Sequence, residues 1–248
     1  MSWGRRWAGV LPLTVGLLAA GCATTTPDPG ALAARYRAAV ADAETAEPDE
    51  IDVDLLAVTA ASTGLLWEGE PGRSRVRVVT WTSWDGYDPH VGSRTELSRE
   101  VWVTLVPELR RFCSALGLRS PDRRTLRLEQ LLGLPPGDGK DRFVELWVEP
   151  GDLFRPCPDP EINDHECGLS PPRSAYTPTT DPAYREWFDD LRATSYSEDG
   201  YPWTRLGYTY DWGSRKSEVG LSELVIRGGA TVGVVSVTPT QGYCRRGR

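Results

Sequence analysis

Apolar positions along this 248-residue chain recur with two periods, and the switches between them mark out its elements. Behind Asp28-Pro29, an N-cap followed by a proline at the first helical position, Leu32, Tyr36 and Val40 repeat at intervals of four as far as the breaker Pro48. This predicts an amphipathic helix whose stripe is thin, because alanine fills much of it, and which packs on the domain rather than standing as a stalk. Residues 76–81 carry Val76, Val78, Val79 and Trp81 with Arg77 and Thr80 between them, the pattern of a half-buried strand. Residues 100–106 alternate Val101, Val103 and Leu105 with Trp102 and Thr104, a second strand, and Pro107 then opens a helix bearing Leu109, Phe112, Cys113 and Leu116. A further helix is expected around residues 126–132 and a third strand over 142–149, with Phe143, Leu146 and Val148 among its apolar positions. Asp181-Pro182 caps a helix that buries Tyr184, Trp187, Phe188 and Leu191. Residues 217–226 and 230–237 read as closing strands, and Gly228-Gly229 between them suits a tight hairpin turn. Strands and helices mix without the strict alternation of a parallel sheet. The expected fold is therefore α+β, a mostly antiparallel central sheet with helices packed on one side.

The first residues follow a different logic. Arg5 and Arg6 precede an apolar run over residues 10–20 that ends in Leu18-Ala19-Ala20-Gly21-Cys22. The run is well short of the ~20 residues that span a bilayer, and it contains Pro12, Thr14 and Gly16. A cationic start, a short apolar middle and small residues before a cysteine resemble the signal and lipobox of bacterial lipoproteins. An ordinary secretory signal would also accept Ala19-Ala20-Gly21, but leaves the cysteine unexplained. The resemblance implies removal of residues 1–21, acylation of Cys22, palmitate among the acyl groups, and a short tether over 22–29. The remaining chain, 30–248, is expected to form a single α+β domain in the bacterial cell envelope, at the outer membrane or cell surface.

Composition fits a soluble globular body, with 40% hydrophobic and 25% charged residues. Lys and Arg number 28 against 35 Asp and Glu, so the net charge of −7 becomes −9 once Arg5 and Arg6 leave with the signal. Such a balance disfavours nucleic acid as a partner, since phosphate backbones reward basic faces. Contact with a membrane is expected through the N-terminal lipid alone. Four cysteines remain in the body, Cys113, Cys157, Cys167 and Cys244. In an oxidising compartment they favour two disulfides, with three connectivities open. Cys157 with Cys167 is preferred because the two bracket a loop rich in Pro and Asp, which leaves Cys113 for Cys244. A metal site built from Cys157, His165, Cys167 and a carboxylate such as Asp164 matches no common zinc spacing. No metal and no cofactor are expected.

Three segments hold chemically suggestive residues. Residues 133–140, Gly-Leu-Pro-Pro-Gly-Asp-Gly-Lys, superficially suggest a phosphate loop, but the spacing is one residue too long, Asp141 stands where Ser or Thr is needed, and a helix precedes what a strand should precede. A helix-to-strand turn is the better reading. Residues 152–167 gather acids around His165, one of only two histidines, where neighbouring carboxylates would favour the imidazolium. A solvated turn-rich loop explains the same residues. Residues 200–213 concentrate Tyr201, Trp203, Tyr208, Tyr210 and Trp212 around Arg205 and Asp211. Such rings stack on sugars or peptides while Arg and Asp bond hydroxyls or carboxylates, although a buried core with an Arg205–Asp211 pair would use the same composition. Arg205, Glu223 and His165 would be the groups of an envelope hydrolase or transferase if they converged. Through segments such as 78–82, 152–159 and 203–212 the body resembles uncharacterised secreted bacterial proteins, which attaches no activity. The expected function is a lipid-anchored binding or interaction module with a glycan or peptide ligand, its site formed by Trp203, Arg205, Tyr208, Tyr210, Asp211 and Trp212.

Overall fold

The computed structural model describes Met1, residues 28–171 and residues 181–244. The signal, Cys22 and most of the tether lie outside the described residues. Five α-helices and eight strands appear among the described residues: α1 (Pro29–Ala43), β1 (Val76–Thr82), β2 (Arg94–Glu96), β3 (Val101–Leu105), α2 (Val106–Ala115), α3 (Pro121–Leu131), β4 (Arg142–Val148), β5 (Leu153–Phe154), α4 (Pro182–Ser195), β6 (Tyr208–Tyr210), β7 (Val219–Ile226), β8 (Thr231–Pro239) and α5 (Thr240–Tyr243). The strands form one antiparallel sheet in the order β2-β8-β4-β1-β3-β7-β5, with β6 added on β7. The fold is α+β, as the periodicity predicts.

The sheet curls back on itself. β2 and β3 are successive parts of one extended run, yet β2 pairs with β8 while β3 pairs with β1. The β1–β4–β8 unit is thus flanked on both edges by the same stretch of chain. Alternation sorts the side chains: Val76 and Val78 of β1, Val103 and Leu105 of β3, Val144 and Leu146 of β4, Leu224 and Ile226 of β7 and Val232 and Val234 of β8 share the inner core. Positions of opposite parity meet the helices. Val79, Trp81, Phe143 and Leu221 pack against Leu109 and Cys113 of α2 and Leu128 and Leu131 of α3, while Val225 meets Phe154 and Tyr184 of α4.

Local chemistry explains the helix starts. Asp28 Oδ2 accepts from Ala31 N at 2.8 Å and Asp181 Oδ1 from Ala183 N at 3.0 Å, each ahead of a proline. α1 packs on the body, burying Tyr36, Ala39 and Val40 against Trp212. The expected helix around residues 126–132 begins earlier, at Pro121 behind a Ser120 cap. β2, β5 and β6 are two or three residues long and escape a periodicity argument.

The closing hairpin needs correction. Gly228-Gly229 does lie in a tight turn, with Gly229 at φ 82° and Ala230 N donating to Arg227 O, but β7 and β8 do not pair. β7 lies against β3 and β8 against β4. Curling lets so short a link join strands that are far apart in sheet order, and Leu97 holds the turn from outside the pair: Leu97 N donates to Ala230 O and Gly229 N to Leu97 O.

Cys157 is bonded to Cys167 and Cys113 to Cys244. These are the preferred pairings. The first staples the loop after β5; the second ties α2 to the chain just after α5. Two disulfides point to an oxidising, extracytoplasmic compartment. Among the described residues no helix is long and apolar enough to cross a membrane.

Candidate functional site

β1 and β3 pair at only two positions, Val78 with Leu105 and Val79 with Thr104. Both strands continue past that point, β1 to Thr82 and β3 back to Val101. A cavity of about 570 Å³ is lined by those onward residues of both strands, so it occupies the place where the sheet parts. Its size falls within the ordinary range for small-molecule sites. Aromatic residues from several elements line it: Trp81 from β1, Trp84 and Tyr87 from the loop after β1, Trp102 from β3, and Tyr201, Trp203 and Tyr210 from the chain after α4. Trp102 is 37% exposed and stands edge-to-face with Trp203, centroids 6.4 Å apart and planes at 89°. Trp84 makes a similar contact with Tyr87 at 4.9 Å.

Glu223 also lines this cavity. It sits on β7 directly opposite Thr104, and Trp102 lies on the same sheet face one diagonal step away, opposite Val225. Its backbone N–H donates to Gly207 O, but no hydrogen bond or ion pair to its carboxylate occurs among the described residues. Burial alone pushes the carboxyl up to about 8, with no charged neighbour contributing. Near neutrality Glu223 is therefore mostly a neutral acid. Glu96, Arg99, Glu100, His90 and Lys140 line other parts of the wall, and Lys140 is ion-paired with Asp138.

Most of the predicted aromatic segment is packed. Tyr208 is 1% exposed and donates its hydroxyl to Glu50 O. Trp212 lies against Tyr36 and donates to Leu134 O. Asp211 takes a bidentate pair from Arg127 at 2.6 and 2.8 Å, and not from Arg205. Tyr210 is half-buried and donates to Asp42 Oδ2 at 2.6 Å. Trp203 donates to Pro156 O and lines the cavity, its buried ring packed against Trp102, Trp187 and Phe188. The segment is thus largely a core element that brings Tyr201, Trp203 and Tyr210 to the site.

Arg205, Glu223 and His165 are not gathered in one cleft. Arg205 has φ 57°, donates to the carbonyls of Ala43 and Glu44, lies over Tyr196, and lines a second cavity with Pro158 and Arg192. His165 lines neither cavity; its Nδ1 bonds Leu55 O while its own carbonyl accepts from Leu55 N. Asp159, Glu161 and Asp164 cluster nearby, with the buried Arg155 guanidinium 3.8 Å from Asp164 as a balancing charge. Both thiols of the rival metal set are consumed by the disulfide.

Sequence reasoning missed Trp81, Trp84, Tyr87 and Trp102, and left Tyr201 of the aromatic segment out of the expected site. A signal existed at Trp102: a large ring at the outward parity of an alternating strand has no place in the inner core and must find another neighbour. A scan against family models, a search of curated proteins and a search of solved structures each find no match to the chain.

Proposed function

We propose that this protein is a lipid-anchored binding protein of the bacterial envelope, held to its membrane through Cys22, and that its ligand enters the aromatic cavity between β1 and β3. The observation that carries this reading is the parting of the two central strands around a cavity lined by tryptophans and tyrosines, where Glu223 is half-buried without a side-chain partner among the described residues while Glu96 and Glu100 are exposed. An arrangement of large flat rings with a few polar groups, Glu223 the half-buried acid among them, suits a compact ligand with an apolar or aromatic part. The disulfides support the compartment, and the Leu-Ala-Ala-Gly-Cys sequence supports the anchor.

Two experiments test it. Cys22→Ser should move the protein from the membrane to the soluble fraction; unchanged fractionation contradicts the anchor. For the site, the released protein is screened by thermal shift against envelope glycans, peptides and small molecules, and each hit is repeated with Trp102→Ala and Arg205→Ala. The expected hit is lost with the tryptophan and kept with the arginine. The opposite pattern would move the site to the second cavity.

A further inference from the structure

We infer that the cavity between β1 and β3 takes an organic cation, a quaternary or protonated tertiary ammonium group, with Glu223 as its counter-ion and the indoles of Trp102 and Trp203 as its walls. The inference rests on that cavity being the binding site.

Glu223, half-buried at the cavity wall, differs from the other carboxylates that the fold turns inward. Glu145 is fully buried and meets Arg77 and Arg110 at 2.6 and 2.5 Å. Asp211 has the Arg127 fork. Glu129 accepts from the backbone N–H groups of Gly137 and Asp138, and Glu108 from the N–H and hydroxyl of Ser222. In each case the fold supplies the donor or cation that an enclosed carboxylate requires. Glu223 alone in this group has none among the described residues, and it is the one that faces the cavity. A cationic ligand would provide the missing partner.

The walls suit the same ligand. Aromatic faces carry negative charge density and attract cations, tryptophan most strongly, and two rings set at right angles form a corner that can hold a rounded ammonium head. A bare metal ion is a poor fit, because Glu223, Glu96 and Glu100 do not bring their carboxylates together into the set of oxygen ligands that hard cations require; among the described residues only Asp159, Glu161 and Asp164 cluster that closely. An alkylammonium group is weakly hydrated and gives up its water to π faces more easily. Other ionisable groups around the cavity do not already neutralise Glu223. Glu96 ends β2, Arg99 and Glu100 come from the run between β2 and β3, His90 from the loop after β1, Lys140 from the loop before β4, and Tyr87, Tyr201 and Tyr210 from the walls. Lys140 is tied to Asp138, and none of these groups contributes to the shift of Glu223. The α2 and α4 residues on the wall, Leu109, Leu191 and Ser195, carry no charge.

The test uses the full chain carrying Cys22→Ser, followed by calorimetry and tryptophan fluorescence with choline, its uncharged carbon isostere dimethylbutanol, and glycerophosphocholine. Choline or glycerophosphocholine should bind at least tenfold more tightly than dimethylbutanol. Tighter binding of choline identifies a free solute as the natural source, and tighter binding of glycerophosphocholine a phospholipid head. Glu223→Gln should reduce the cation to the level of the isostere and leave the isostere unchanged. Since the wild-type acid is largely protonated near neutrality, cation binding should release a proton, giving heats that differ between phosphate and Tris buffers. That difference should vanish in Glu223→Gln. Trp102→Leu, at a partly exposed position, should weaken the cation more than the isostere and guards against a folding defect in the first variant. Equal affinity for choline and dimethylbutanol overturns the cation and leaves the cavity as a site. Failure of all three probes to bind also overturns it, and the thermal-shift hits then decide separately whether the cavity binds anything.

Discussion

Among the described carboxylates Glu223 is pushed furthest from its ordinary pKa, by burial. Its folded value near 8 lies above the unfolded value of 4.5, so the native state holds the proton more tightly than the unfolded chain. The stability this contributes is fully present below the unfolded value and is lost as pH rises through the folded one. Glu223→Gln removes that dependence. Its melting temperature relative to wild type should therefore climb between about pH 5 and pH 9, in the variant's favour, and level off above that. A difference that stays flat with pH would contradict the assignment. Glu145 makes the opposite case. Enclosed and paired with two arginines, it should cost about 3–5 kcal/mol when replaced by alanine, because breaking a buried pair strands the remaining charge. Urea unfolding measures this, and a loss below about 1 kcal/mol would place the pair in the class of exposed ion pairs.

At the scale of elements, the two disulfides staple different amounts of chain. Cys157 and Cys167 are 10 residues apart, Cys113 and Cys244 are 131 apart. If restriction of the unfolded chain is the main effect, replacing the first pair with serine should cost about 3 kcal/mol and the second about 5 kcal/mol. Denaturant midpoints of the two double variants test the order, and a greater loss from the short loop would show that native packing around Arg155 and Tyr184 dominates instead. Helix positions and the main strands were legible because caps, prolines and periodicity are local signals. The Asp28 and Asp181 caps are examples, as is the alternation of Val101, Val103 and Leu105. Strand partners were not legible. Gly228-Gly229 specifies a turn, but a turn does not fix pairing when the sheet curls and β3 offers β7 a longer ladder.

The whole molecule is where the site comes into being. Its walls come from β1, β3, β7, the loops after β1 and before β4, and the chain after α4, and no sequence window holds more than a part of it. Glu223 and Trp203 were recognisable as candidates, one as an acid on a strand and the other within an aromatic cluster. Trp102 was visible only as a strand residue, since its role depends on β1 and β3 separating beyond Val79 and Thr104. Arg205 drew attention by its neighbours in sequence, yet the fold turns it toward the carbonyls that end α1. The central claim is that ligand enters between the parted strands, and shift mapping on isotope-labelled protein with choline and dimethylbutanol tests it most directly. Perturbed resonances should centre on the indole N–H groups of Trp81, Trp102 and Trp203 and on the amides of Thr80, Val101, Val103 and Glu223. Shifts centred on Arg205 and Arg192, or none that saturate with either probe, would contradict it.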